Sequence, residues 1–513
     1  MGTKQSPAKA PHVHESLLSP KVAFAGAVNR EFLKLHEGLE RNGFRQLPLG
    51  MVASPNSPSF LVRKHEAIYN RSGGSNYFVF VHVEEEGLRA LFTNPGTSEM
   101  DAAAPASRVK IRRSTLGKSD GWAERTVDEI LAEAAKKPMG AYHVVNHDHI
   151  GYVNGTDMRS SGYDDGKSSE YEAIRNFMLW NYDIHMGPTS HNFWNAALSR
   201  HISELEAQVG IVNVPGVELT LPYKLGAKNG PHIGVWFAHE SAALSFWDEV
   251  LSHGNWEYAP FAPLVDPRRI LDTLDRMAAG KEAASGVNHF VASNLLPGVG
   301  YGNRGLMGDY EWGYIDEMMR SHFQAMEAFN LGNPARQKIL FKENGNGIAT
   351  ANRPYFTRMV EEAGFGGRAL TPTLLCLAAA KYFSEKYGKW SYAGHDTHEY
   401  FDVKFDKYVS IINRPGRAFN VLDLGGLGIA DGGRKPTPAE IIGLLLLPCA
   451  GGRMKPFIPV EYDARGRVNI AAGRMTDGPL DRAYELFSSM GTWAKMLPAM
   501  WHDFMDGVKS VVR

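Results

Sequence analysis

"YHVVNHDHIGYVNG", residues 142–155, is the stretch on which the reading of this chain turns. Tyr142-His143-Val144-Val145 is a short apolar run of strand character, and it delivers His147 and His149 at its end. Residues i and i+2 of a strand point to the same face, about 7 Å apart along the chain. The spacing therefore predicts two imidazoles on one face, and neutral imidazole is the commonest nitrogen ligand of a metal ion. A strand end with two solvated histidines fits the same stretch, so the neighbouring sequence has to decide.

Outward from this stretch, residues 139–415 alternate short apolar strands with helical stretches. "AYHVVNH" precedes the helical "SSEYEAIRNFMLWNY"; "DIHMGPTSH" precedes "NFWNAALSRHISELEAQVG"; "IVNVPGVELTLP", "PHIGVWFA", "GVNHFVAS", "FQAMEAFN" and "KWSYAGHDTH" follow with helices among them. Strand, helix, strand at this spacing predicts a parallel sheet, and seven such strands predict a barrel or a doubly wound sheet. In a parallel α/β barrel the site lies at the C-terminal ends of the strands. Those ends carry His147 and His149, then His191, Glu218, His289, and Asp396 with His398; His232 begins its strand. Packing alone does not explain such a series, because buried polar groups cost free energy unless they are paired or metal-bound.

In order, these segments resemble the motifs of the PHP (polymerase and histidinol phosphatase) family. "NHDHIG" is similar to that family's opening His-x-His, "DDGKSSEYEAI" to its Ser-Asp-Gly segment, "PTSHNFWNAAL" to Thr-Asp-His-Asn, and "VPGVELT" to its Gly-Val-Glu. "HIGVWF", "NHFVAS", "AMEAFN" and "AGHDTH" resemble the later strands. Ser190 stands where the family has Asp, and Phe290 where it has Pro. The resemblance implies a distorted (β/α)7 barrel and a di- or trinuclear centre of Zn²⁺, Mn²⁺ or Fe²⁺, between which ligand type does not choose. It implies that Glu218 bridges two ions. His147, His149 and Asp396 would complete one, His232 and His289 a second, and Asp165, His191 and His398 a third. Asp157 and Asp164 rival Asp165, which is preferred because it directly precedes an apolar helix. The implied activity is hydrolysis of a phosphomonoester or phosphodiester by metal-bound hydroxide, with Arg304 adding positive charge. The implied partner is a small phosphorylated substrate.

The flanks carry no chemistry of their own. Residues 1–20 read as a disordered start and residues 21–138 as a small α+β unit. In the latter, Thr126 or Asp128 would cap a helix over "TVDEILAEAAKKPMG". Residues 416–513 read as a glycine-rich loop and a helical extension. Its stripe of Phe487, Met490, Trp493, Leu497, Trp501 and Phe504 most simply packs on the barrel, and otherwise serves as a lid or homo-oligomer contact. The 513-residue chain has a formal net charge of −1, which argues against nucleic acid as main partner. Its longest apolar stretch, Ile441–Leu447, is far short of the roughly 20 residues that span a bilayer. With two cysteines distant in sequence and no signal-peptide pattern, a cytoplasmic location is expected.

A second class stays open. "GYGNRG", Gly300–Gly305, matches the dinucleotide fingerprint Gly-x-Gly-x-x-Gly, and Glu327 follows about 20 residues on, as a nicotinamide-dependent oxidoreductase requires. A third is a degenerate barrel that binds metal without turnover, motivated by Ser190.

Overall fold

The computed structural model describes residues 26–47, 66–71, 75–84, 87–92, 123–124, 126–135, 142–150, 170–179, 182–192, 194, 196–221, 232–253, 265–288, 312–330, 353–366, 372–394, 419–424, 434–448, 450–457, 460–462 and 468–470. The N-terminal elements are α1 (Gly26–Arg41), β1 (Arg45–Gln46), β2 (Glu66–Asn70), β3 (Phe78–Glu84), β4 (Gly87–Phe92), β5 (Ala123–Glu124) and α2 (Val127–Ala134). Their strands form one antiparallel sheet in chain order. Thr126 caps α2: its hydroxyl accepts from Glu129 N at 3.2 Å while the Glu129 carboxylate accepts from Thr126 N at 2.8 Å, a reciprocal capping box.

The period-two pattern of β2 and β3 puts apolar side chains on both faces of this sheet. Ala67, Tyr69, Val79 and Val81 pack on Phe32, Leu35, Leu39 and Ile130 of the two helices. Ile68, Phe78 and Phe80 face the other way, into a core shared with Val145, Ile174, Phe177 and Ile202 of the central region. A sheet that is apolar on both sides has to be covered on both, which is why this unit sits against the rest of the chain.

The central elements are β6 (Tyr142–Asn146), α3 (Glu170–Leu179), β7 (Ile184–Met186), α4 (Ala196–Val209), β8 (Val212–Val214), β9 (Gly216–Thr220), β10 (His232–Phe237), α5 (Glu240–Glu249), α6 (Pro267–Ala279), β11 (Ala283–Asn288), α7 (Trp312–Ser321), β12 (Ala325–Asn330), α8 (Arg353–Glu362), α9 (Pro372–Tyr387) and β13 (Trp390–Gly394). Beyond residue 416 the chain re-enters this region with β14 (Phe419–Leu422), α10 (Pro438–Leu445), α11 (Ala450–Arg453) and β15 (Met454–Phe457). A separate hairpin, β16 (Val460–Tyr462) and β17 (Val468–Ile470), follows.

The architecture is mixed α/β. One sheet runs β15-β14-β6-β7-β8, with β6, β7 and β8 parallel and β14 antiparallel to both its neighbours. A second runs β13-β12-β11-β10-β9, with β11, β12 and β13 parallel. The expected all-parallel sheet is corrected at β10, which is antiparallel to both β9 and β11. The segment 221–231 is shorter than the roughly dozen residues that a parallel crossover takes, so β10 returns alongside β9. Helices α5 and α6 then go out and back, and β11 starts at the end where β10 finished: Phe237 is opposite Ala283.

Among the described residues the two sheets do not close into one hydrogen-bonded ring. They are joined at two places. Strand β8 passes through Pro215 into β9, and the segment after β7 pairs with β9, Glu218 N donating to Ser190 O at 3.1 Å and Asn192 N to Glu218 O at 2.6 Å. At the far side, the Asn420 side chain bonds the Ala393 backbone, accepting from its N at 2.7 Å and donating to its O at 2.9 Å.

Inward side chains of both sheets share one core: Tyr142, Val144, Ile184, Met186, Trp236, Ala284, Ala325, Trp390 and Tyr392. The Trp236, Trp390 and Tyr392 rings lie 5.3–5.8 Å apart as tilted and edge-on pairs, each worth about 0.5–1.5 kcal/mol beyond area burial. Outward residues of the second sheet pack on α5 to α9. Helix α10, which holds most of the apolar stretch from Ile441, buries Ile441, Ile442, Leu444 and Leu445 in the inner core. No described helix is long and apolar enough to cross a membrane. The N-terminal 20 residues and the Phe487–Phe504 stripe lie outside the described residues.

Candidate metal centre

Strand β6 ends at Asn146, and the chain turns at once: His147 has φ +56°, a left-handed backbone uncommon for residues other than glycine. The expectation of two histidines on one strand face is corrected here. His147 and His149 reach the same point through this turn, because the pleat stops before them. His191 is set by its neighbour Asn192, also left-handed at φ +50°, a conformation that Asn tolerates. The Asn192 side chain accepts from Thr220 N at 2.7 Å and donates to Thr220 Oγ1 at 3.1 Å, which locks His191 beside β9. Glu218 lies mid-strand in β9, facing inward between the outward Val217 and Leu219. His232 opens β10 and is in register with Thr220 and Asn288.

These side chains meet around one carboxylate. Glu218 Oε1 is 3.1 Å from His147 Nε2 and 3.1 Å from His232 Nδ1. Glu218 Oε2 is 3.1 Å from His191 Nδ1 and 3.5 Å from His149 Nε2. The donors fall into two overlapping groups, His147–His149–Glu218 and His191–Glu218–His232, each with its ligand atoms within 4.8 Å of one another. His149 and His191 stack at 4.7 Å. The His147, His149 and Glu218 side chains are fully buried, whereas His191 is 14% and His232 31% exposed. The open side of the site is therefore at His191 and His232.

Further groups hold this set. Glu327 on β12 accepts from His147 Nδ1 at 2.6 Å. It sits at a register shift between Glu327 and Phe329, and bulges of this kind re-aim side chains. Asn288, closing β11, donates to Glu218 Oε1 at 3.1 Å, and Tyr392 OH donates to Asn288 Oδ1. Burial, with Glu327 and Glu218 nearby, raises the Tyr392 phenol well above its ordinary value, so it stays a donor. Burial alone would push His147 down; the flanking Glu218 and Glu327 carboxylates hold it well above the ordinary histidine value. Burial alone would push Glu218 up; His147, His191 and His232 hold it well below.

Behind the site lies a second buried polar group. Asp148, between the two site histidines, accepts from His185 Nε2 at 2.8 Å, and Glu206 of α4 accepts from His185 Nδ1 at 2.6 Å. Asn213 donates to Glu206 Oε2 and to Gly187 O, both at 2.9 Å. Burial would lower His185, but the two carboxylates raise it to about 10.

Five of the nine expected ligands, His147, His149, His191, Glu218 and His232, are thus together. The resemblance placed His191 with a third ion; the geometry sets it beside Glu218 and His232. Asp165 with its rivals Asp157 and Asp164, His289, Arg304, Asp396, His398 and the Gly300–Gly305 fingerprint lie outside the described residues. Glu327, Asn288, Tyr392 and the Asp148–His185–Glu206 group were not assigned to the site from sequence. The signal for Glu327 was present, a carboxylate inside the apolar run "AMEAFN", which is costly to bury without a partner.

The donor set fits a transition-metal pair. Imidazole nitrogens with a shared carboxylate suit Zn²⁺, Mn²⁺ and Fe²⁺, and Glu327 on the far nitrogen of His147 is the usual outer partner of a metal-ligating histidine. No family model matches this chain, and no curated protein does.

Proposed function

We propose that this chain is a metal-dependent phosphoesterase acting on a small phosphorylated substrate. The observation that carries the reading is the Glu218 carboxylate with two imidazoles at each oxygen, 3.1–3.5 Å away. His147, His149 and Glu218 would hold one divalent cation and His191, Glu218 and His232 another. Such a pair would supply Lewis acidity and neutralise charge that develops on a phosphoryl group. Glu218 would offset the mutual repulsion of two cations and keep their ligand sets in register. Glu327 fixes the His147 tautomer with Nδ1–H, so that Nε2 is the ligating atom. Asn288, oriented by Tyr392, restrains Glu218 Oε1 through a hydrogen bond that does not neutralise it. Substrate would enter over His191 and His232.

The same reading takes the fold as a PHP-type distorted barrel. Two parallel arcs, β6-β7-β8 and β11-β12-β13, facing one core and joined at Glu218 and near Asn420, support it. Asp396 would complete the first ion's ligands and His289 the second's, Asp165 and His398 would serve a third, and Arg304 would meet the phosphoryl group. The experiment is elemental analysis of the purified chain after metal-supplemented growth, with a panel of phosphomonoesters and phosphodiesters. Less than about one ion per chain would sink the reading, since shared-site hydrolysis needs more than one. Bound metal without hydrolysis of any ester would favour a binding barrel without turnover.

A further inference from the structure

We infer that Asp148, His185 and Glu206 form a buried positioning relay that sets the His147–His149 turn against Glu218; the inference rests on the metal-centre reading above. Asp148 stands between the two site histidines, yet its carboxylate leaves the site. It meets His185, which alternates on β7 with the inward Ile184 and Met186 and packs against Phe177 of α3 at 4.8 Å, on the helix side of the sheet. The other nitrogen of His185 is held by Glu206, and Asn213 ties Glu206 to β8. The relay thus connects the turn to β7, α4 and β8.

Three further observations make the connection specific to the turn. The Asp148 carbonyl accepts from both Thr189 N and Thr189 Oγ1 at 2.9 Å, so backbone and side chain of this one residue are anchored. Residue 187, just past β7, is a glycine, and a β-carbon there would lie 2.6 Å from both Asp148 Oδ1 and His185 Nε2; only glycine leaves room for the pair beside this residue. His147, next to Asp148, has the left-handed backbone, which persists only where surrounding contacts over-determine it. Asp148, His185 and Glu206 are all at 0% exposure. Buried ionic groups are a weak way to stabilise a fold compared with apolar packing, whereas they hold direction well. Directing two ligands that hang on a strained turn is the task this geometry performs.

The test uses the full-length chain, stripped of metal and titrated with Co²⁺ against a chelator, with the visible Co²⁺ spectrum and thermal unfolding of the metal-free chain recorded beside it. Asp148→Ala is expected to weaken Co²⁺ binding about 10-fold, the lower end of the range for groups bonded directly to a metal ligand, because Asp148 acts one residue away through the turn, and to change the spectrum. Asp148→Asn, which keeps an oxygen to accept from His185, is expected to recover most of the affinity and the wild-type spectrum. Asp148→Glu keeps the charge but lengthens the arm, so it covers the case in which the alanine variant does not fold; it is expected to displace the turn and shift the spectrum. Wild-type affinity and spectrum in Asp148→Ala, or in Asp148→Glu where that stands in, overturn the relay. A lowered unfolding temperature with an unchanged Co²⁺ spectrum marks a merely structural role and also overturns it. A wild-type chain that takes up neither Co²⁺ nor Zn²⁺ is a different failure: it removes the metal reading and the relay with it.

Discussion

His147 is held from both sides by carboxylates, Nδ1 at 2.6 Å from Glu327 Oε1 and Nε2 at 3.1 Å from Glu218 Oε1. The ring cannot rotate without breaking one contact, so Nε2 is the nitrogen turned toward Glu218, and on the proposed reading the one presented to a metal ion. Glu327→Ala should therefore lower metal affinity about 10–100-fold while leaving all five His and Glu ligands in place. Glu327→Gln, which can still accept from Nδ1–H, should lose much less. Chelator competition on the two variants checks this, and equal affinities would refute the orienting role.

Glu218→Gln keeps the shape of the central side chain and removes its charge. The expected result is loss of bound metal together with a phosphoesterase rate at least ~10²-fold lower, comparable to losing a preorganised electrostatic group. Far-UV circular dichroism should be unchanged, because the strands and helices are held by the apolar and aromatic cores on either side of the sheet rather than by the polar cluster. Retained metal and full rate would show that the mechanism is wrong even where the fold is right.

Gly394 closes β13 directly under Glu327. A β-carbon there would overlap the Glu327 carboxylate and lie 3.0 Å from His147 Nδ1. Gly394→Ala is expected to destabilise by about 1–3 kcal/mol, as overpacking does, and to weaken metal binding. Adding Glu327→Ala removes the overlap, so the double variant should regain much of the stability, with a coupling energy of about 0.5–3 kcal/mol in urea unfolding. Strict additivity would mean the two residues do not compete for space.

The start of α10 should be acid-sensitive in a defined direction. Arg434, with the Thr437 backbone and hydroxyl, lowers the Glu440 carboxyl from 4.5 to about 2. A carboxyl lowered by folding stabilises the fold above its unfolded value and loses that contribution as pH falls through its folded value. Protection of α10 amides from hydrogen exchange should hold above pH 4.5 and decline between 4.5 and about 2. Glu440→Gln should flatten this dependence, and Thr437→Ala should cost about 1 kcal/mol at neutral pH. An unaltered profile in Glu440→Gln would assign the sensitivity elsewhere.

Much of the site is legible in the chain because a histidine or carboxylate within or beside an apolar run stands out from its neighbours. His147, His149, His191, Glu218 and His232 stand out in this way, and they share one carboxylate. Glu327 stands out equally, but its partner lies 180 residues away, and no local pattern reports a partner at that distance. Asp148 and His185 are hidden for a related reason: Asp148 lies between two candidate ligands and His185 inside an apolar strand, and their side chains meet on the opposite side of the sheet. The direction of β10 was not legible either, since "HIGVWF" carries the same apolar pattern whichever way the strand runs.

Strand and helix identity, the cap at Thr126, and the mixed α/β class follow from residues a few positions apart, whose propensities and hydrogen bonds act locally. Which imidazole meets which oxygen of Glu218, the reversal at β10, the insertion of β14 beside β6 and the left-handed turn at His147 were decided only in the folded chain. They depend on register and on close packing between segments remote in sequence, and those are set by the whole core at once.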